Sequence, residues 1–172
     1  GISESTYNLE IALRLQDLLR LMGFQIEMIR ETDISVYTKG ETIAQKKISD
    51  LKNRAEIVQN HKNPILVSIH QNSFSDNRYS GAQVFYPETT GSKTLAENLQ
   101  NTFCRTINPT SHRQTKKSSG IYLLEHIQCP AVLIECGFLS NIEEESKLRS
   151  PQYQKKICCV IASTLSEILS NT

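Results

Sequence analysis

The sequence carries almost no charge surplus: 19 Lys and Arg stand against 18 Asp and Glu, a formal net charge of +1 over 172 residues. A nucleic-acid binder needs a basic stripe interleaved with aromatics, and the chain has none, so nucleic acid is excluded as a partner. No apolar run approaches the ~20 residues of a membrane-spanning helix. Glycine (seven) and proline (five) are sparse, and the 38% of apolar residues are spread along the whole length, which excludes a disordered or low-complexity chain. Cysteine is scarce and odd in number, five, with Cys158 and Cys159 adjacent and no C-x-x-C pair. A disulfide framework and a zinc knuckle are therefore excluded, and the thiols read as small hydrophobes. Internal repeats and linkers are missing too, so residues 1–172 are expected to form a single domain around one core.

What is present is an alternation of two periods. Ile11, Leu15, Leu18 and Met22 fall at helical spacing within 6–22, and Gly23 closes the helix. Residues 24–29 alternate like a strand. Ile43, Ile48, Leu51, Ala55 and Val58 return to helical spacing. Residues 65–69 then form a short continuous apolar run after Pro64, of the kind a parallel strand buried on both faces needs. Further strands are expected at 81–86, 121–124 and 131–135, a helix at 93–103, and an exposed polar loop at 108–120 carrying Arg113, Lys116 and Lys117. Asn141 caps a helix whose first turn is acidic, and Pro151 opens the last helix. This order predicts an α/β fold: a three-layer sandwich with a central, mostly parallel twisted sheet and helices on both faces.

In such sheets ligands bind at the carboxyl ends of the strands. His70 ends the run 65–69 and Glu135 ends the run 131–134, while Glu4 stands just before the first helix. A neutral imidazole and a carboxylate are suitable zinc ligands, and a second carboxylate that does not bind the metal can serve as general base toward its water. Catalytic zinc takes three protein ligands, so this set is one short. His61, His112 and His126 do not supply the third convincingly: the first two read as solvated, and His126 as a residue near the pocket. Cys136, beside Glu135, has no histidine tied to it in sequence, which argues against a cysteine nucleophile.

Several segments carry a resemblance in a fixed order: ESTYNL at 4–9, NRA at 53–55, SIHQN at 68–72, GAQVFY at 81–86 and PAVLIECGFLSN at 130–141. Together they resemble the zinc-dependent N-acetylmuramoyl-L-alanine amidases of the type 3 catalytic domain, over nearly the whole chain. The stretches at 80–87 and 121–124 look most like the germination-specific branch that spore-forming bacteria use in making cortex peptidoglycan. The resemblance implies hydrolysis of the amide between N-acetylmuramic acid and L-alanine. It also implies a zinc ion held at the positions of Glu4 and His70 and by a histidine of a GHGG-type loop, with Glu135 as catalytic base. Arg54 and Asn72 match family positions around the site, where they would contact substrate or support the ligands.

The strand and GHGG loop that the family places first are not in this chain, which opens on Gly1 rather than Met. The expectation is a single amidase catalytic domain lacking its first strand and His-bearing loop because an upstream segment has been removed. The resemblance further implies peptidoglycan as substrate and an exported location on the cell-wall side of the membrane, the space around the forespore included. The alternative reading is a non-catalytic or partner-activated peptidoglycan-binding module with an incomplete metal site, so an activating protein is a second expected partner.

Overall fold

The computed structural model describes residues 2–170. Helix α1 (Glu4–Leu21) starts at Ser3, whose hydroxyl accepts from Thr6 N, and is followed by α2 (Ile43–Gln59), closed at its start by a reciprocal capping box between Thr42 and Gln45. Then come β1 (Leu66–Asn72), β2 (Gln83–Tyr86), α3 (Ser92–Thr106), β3 (Lys116–Lys117), α4 (Tyr122–Glu125), β4 (Ala131–Phe138), α5 (Ile142–Leu148) and α6 (Pro151–Ser170). Asn141 Oδ1 accepts from Glu143 N and Glu144 N, which confirms the expected cap.

The strands form one sheet in the order β1-β4-β2-β3. β1 runs parallel to β4 and β2 parallel to β3, whereas β2 and β4 are antiparallel. The expected three layers are present, but the sheet is mixed. One face is covered by α1, α3 and α6, whose Ile11, Leu15, Leu99, Phe103, Ile157 and Ile161 pack on Ile69, Val84, Val132 and Ile134. The other is covered more thinly by α2 and α4, with Ala55, Val58, Leu123 and Leu124 on Leu66, Ala131 and Leu133. Each fully buried leucine, isoleucine or phenylalanine contributes about 2 kcal/mol, so the first face dominates stability and the second leaves room at its end.

Four sequence expectations change. Residues 24–29 lie outside any helix or strand, with Phe24 and Ile26 against the first core and Ile29 against the second, and they join no ladder among the described residues. Alternation was the right reading of their faces, but a strand also needs a partner. Residues 121–124 belong to the short helix α4, in which consecutive Leu123 and Leu124 are both buried; a short apolar run does not distinguish strand from helix. The polar loop holds β3, because Lys116 and Lys117 pair with Phe85 and Tyr86. Finally, Ile43 and Ile48 of α2 are exposed, because the first half of that helix holds the 30–42 segment through polar bonds instead. Ser49 Oγ accepts from Thr38 N, Asp50 Oδ1 from Val36 N, and Asn53 Nδ2 donates to Val36 O.

One irregularity positions the site. His70 pairs with Glu135, but the next matched pair is Asn72 with Phe138, so β4 carries an extra residue opposite Gln71. Residues 70 and 72 share a face, so Glu135 and Phe138 share it as well, although they are an odd number apart. Bulges of this kind re-aim side chains beside functional sites.

Candidate active site

Side chains of β1 and β4 alternate across the sheet, so Leu66, Ala131 and Leu133 lie on the thinly covered face. His70 and Glu135 continue those rows by one more step, and Gln83 of β2 stands opposite Glu135 in the antiparallel pair. These three side chains make a polar row at the carboxyl ends of β1 and β4. His70 and Glu135 therefore lie inside their strands, not just beyond them as the sequence suggested.

Glu4 reaches the same place from the first turn of α1, where the helix dipole favours an acid. Its Oε1 lies 3.0 Å from His70 Nδ1, accepts from Asn8 Nδ2 at 3.0 Å, and receives a longer bond of 3.3 Å from Gln71 N. The hydrogen bond from His70, helped by those from Asn8 and Gln71 N, holds the Glu4 carboxyl down at about 2 against the opposing effect of burial.

Glu135 is the opposite case. Its Oε2 is buried and has no hydrogen-bond partner. Burial pushes its carboxyl up to about 7, with His70 opposing the rise and Glu4 adding to it. Two carboxylates held so far apart in acidity by their surroundings are how a site divides its work between a permanent anion and a proton carrier.

The donor set suits a divalent transition metal. An imidazole nitrogen and a carboxylate oxygen, both ordinary zinc donors, converge within hydrogen-bond distance. Beside them is a buried carboxylate oxygen with nothing to bind. Among the described residues no group of three His, Cys, Asp or Glu side chains could hold a metal ion; Glu4 and His70 are two donors where a catalytic zinc uses three.

Arg54 donates to Asp50 Oδ2 at 2.5 Å, and the same carboxylate caps Val36 N, so Arg54 ties the 30–42 segment to α2. Asn72 ends β1 one row beyond His70, and its carbonyl accepts from Leu139 N at 2.7 Å. His126 stacks on Tyr122 with ring centroids 3.8 Å apart. His61 lines a cavity of about 570 Å³ formed with Pro64, Ile65, Cys129 and Pro130 at the amino ends of β1 and β4, the far end of the sheet from Glu135. Cys136 is buried on the opposite face, and burial pushes its thiol well above the usual range, so it is no nucleophile.

Sequence reasoning missed Asn8, Gln71 and Glu144. Asn8 was legible as the i+4 neighbour of Glu4 on a helix. Glu144 was read only as an acid suiting a helix start, yet its buried carboxylate accepts from Gly81 N and from Phe138 N, both at 2.9 Å. It thereby fastens the entry of β2 to the end of β4 just past the bulge.

Known proteins share this fold. The profile of the N-acetylmuramoyl-L-alanine amidase family matches residues 1–167. The chain is 33% identical over 160 residues to the germination-specific N-acetylmuramoyl-L-alanine amidase of Bacillus subtilis, covering 92% of this chain and 67% of that protein. It superposes on the CwlD amidase of Clostridioides difficile, solved in complex with the GerS lipoprotein, with a TM-score of 0.95 and 39% identity, covering 100% of this chain and 89% of that one. An N-acetylmuramoyl-L-alanine amidase of Clostridium difficile 630 gives a TM-score of 0.83 at 29% identity, over 98% of this chain and 85% of that one.

Proposed function

Since the chain belongs to the N-acetylmuramoyl-L-alanine amidase family, we propose that it hydrolyses the amide between N-acetylmuramic acid and L-alanine in peptidoglycan with the help of zinc, in maturation of the spore cortex. The observation that carries this reading is the row of Glu4, His70 and Glu135, in which a low-pKa carboxylate touches an imidazole beside a buried, unpartnered carboxylate. Glu4 and His70 would hold the metal. When bound, zinc supplies Lewis acidity toward the amide carbonyl and acidifies water.

The protein's own part is proton management. Glu135, half-closed under the sheet end and raised toward neutrality, takes a proton from the attacking water at Oε2 and returns it to the leaving nitrogen of alanine. Asn8 and Gln71 N keep Glu4 ionised and aimed at His70. Asn72, one row beyond His70, and Arg54, bonded to Asp50 within α2, are assigned to substrate contact or support of the ligands. The substrate places the reaction on the wall side of the membrane, around the forespore. No helix among the described residues is long and apolar enough to cross a membrane.

Partner activation is a second reading with its own support. The described residues offer two metal ligands, and the Clostridioides difficile relative was solved with a lipoprotein bound. A protein that steadies a weakly held metal would raise activity without touching Glu135.

The test is release of stem peptide from purified sacculi by the zinc-supplemented protein. Release is expected to stop on chelation and return with added zinc, and His70→Ala is expected to lose zinc in equilibrium dialysis while keeping its fold. Unchanged turnover after exhaustive chelation sinks the metal assignment.

A further inference from the structure

Arg113 lies in the loop that the sequence marks as polar and exposed, yet it is half-buried against Gln83, the neighbour of Glu135 in the sheet. Its Nε donates to Ser80 O at 2.8 Å and its Nη1 to Gln83 Oε1 at 3.3 Å. The guanidinium carbon lies 4.9 Å from the centroid of the Phe138 ring and 5.9 Å from that of Tyr79. Tyr79 stacks on Phe138 at 6.2 Å, and Phe74 meets Tyr79 edge-on at 5.2 Å. Stacking on aromatic faces fixes a guanidinium plane without neutralising it.

Of the eight arginines, four form ion pairs among the described residues and Arg113 is one of the four that do not. Arg30, Arg54, Arg78 and Arg149 each face a carboxylate. Arg113 forms no ion pair among the described residues, its two acceptors are neutral, and its Nη2 has no partner there. A half-buried, immobilised cation with an unused edge is arranged to receive an anion.

Its position says which anion. Gln83 stands in the row of Glu135, and Phe138 in the next row on the same face because of the bulge. Successive same-face rows of a strand are about 7 Å apart. The residue after L-alanine in the stem peptide is a glutamate linked through its side chain, so its α-carboxylate stays free. That carboxylate lies about 7 Å from the scissile nitrogen in an extended chain, one row of the sheet.

Resting on the amidase reading of the same site, we propose that Arg113 is the subsite for this free carboxylate, with Phe138 and Tyr79 as its floor and exposed Phe74 as its outer wall. Arg113 is then a specificity residue that prefers stem peptides with the acid unmodified to those in which it is an amide.

Binding tests this without turnover. In a Glu135→Gln background, N-acetylmuramoyl-L-alanyl-D-glutamate and its D-isoglutamine counterpart are titrated by NMR. The carboxylate ligand is expected to bind about tenfold tighter, as one charge-assisted bond at a half-exposed site allows. Arg113→Gln is expected to bring the two affinities together with the carboxamide affinity unchanged. Equal affinities while Arg113 is present overturn the proposal even if the substituted protein does not fold, as does a preference that survives the substitution. Failure of the amidase reading shows separately, as absence of turnover by the zinc-supplemented protein with intact Glu135.

Discussion

Glu135→Gln is expected to lower the rate of amide hydrolysis by on the order of 10³-fold, the scale of a lost general base, while making the protein more stable at neutral pH. Both effects follow from one unpartnered oxygen. Burial raises the Glu135 carboxyl from 4.5 to about 7, so the folded state holds its proton more tightly than the unfolded chain does. The stabilisation from that bound proton is complete below about pH 4.5 and is lost as pH rises through about 7. Above pH 7 the ionised carboxylate costs about 3 kcal/mol, from the pKa difference at ~1.4 kcal/mol per unit. The glutamine variant does not ionise, so its melting temperature should match that of the parent at pH 4 and exceed it at pH 8 in chelated protein. Equal melting curves at both pH values contradict the buried-carboxylate account, and near-normal hydrolysis by the variant contradicts the base assignment.

Glu144→Ala carries the largest expected loss of stability. Glu144 is 5% exposed and satisfies two backbone donors, Gly81 N just before β2 and Phe138 N at the end of β4. Removing it strands both donors and empties the space over Gly137, where a glutamate oxygen lies 3.3 Å from the position a Cβ would take. At 1–3 kcal/mol per abandoned buried donor, the cost is about 3 kcal/mol, or roughly 6–12 °C in melting temperature for a domain of this size. Glu144→Gln keeps one acceptor and should lose about half as much. A change below about 1 kcal/mol in chemical denaturation would show that the clamp does not hold the bulge.

Much of the fold was legible because burial writes itself into period. The continuous run at 65–69 gave a strand buried on both faces, and Asn141 with Pro151 marked two helix starts that the structure reproduces. The reading failed where a local pattern needs a distant partner. Residues 24–29 have the alternation of a strand but no ladder, and Leu123 with Leu124 suits a buried turn of helix as well as a strand. At the site, His70 and Glu135 were found because polar residues at the carboxyl ends of apolar runs stand out. Their pairing with Glu4 followed from the assumption of one sheet edge, which the 3.0 Å contact from Glu4 to His70 supports. The bulge and the Arg113 stack were not legible, since a register shift and a ring contact between residues 113 and 138 leave no trace in spacing.

On the proposed reading, Glu135 is the base that activates water for addition across the muramoyl–alanine amide, beside metal ligands at Glu4 and His70. The most direct measurement of this is mass spectrometry of the products formed from N-acetylmuramoyl-L-alanyl-D-glutamate in ¹⁸O-labelled water with zinc present. The account predicts a single heavy oxygen in the lactyl carboxylate of the muramic acid and none in the free dipeptide. Label in the peptide, cleavage of the alanyl–glutamate bond instead, or an intact substrate after prolonged incubation would contradict it.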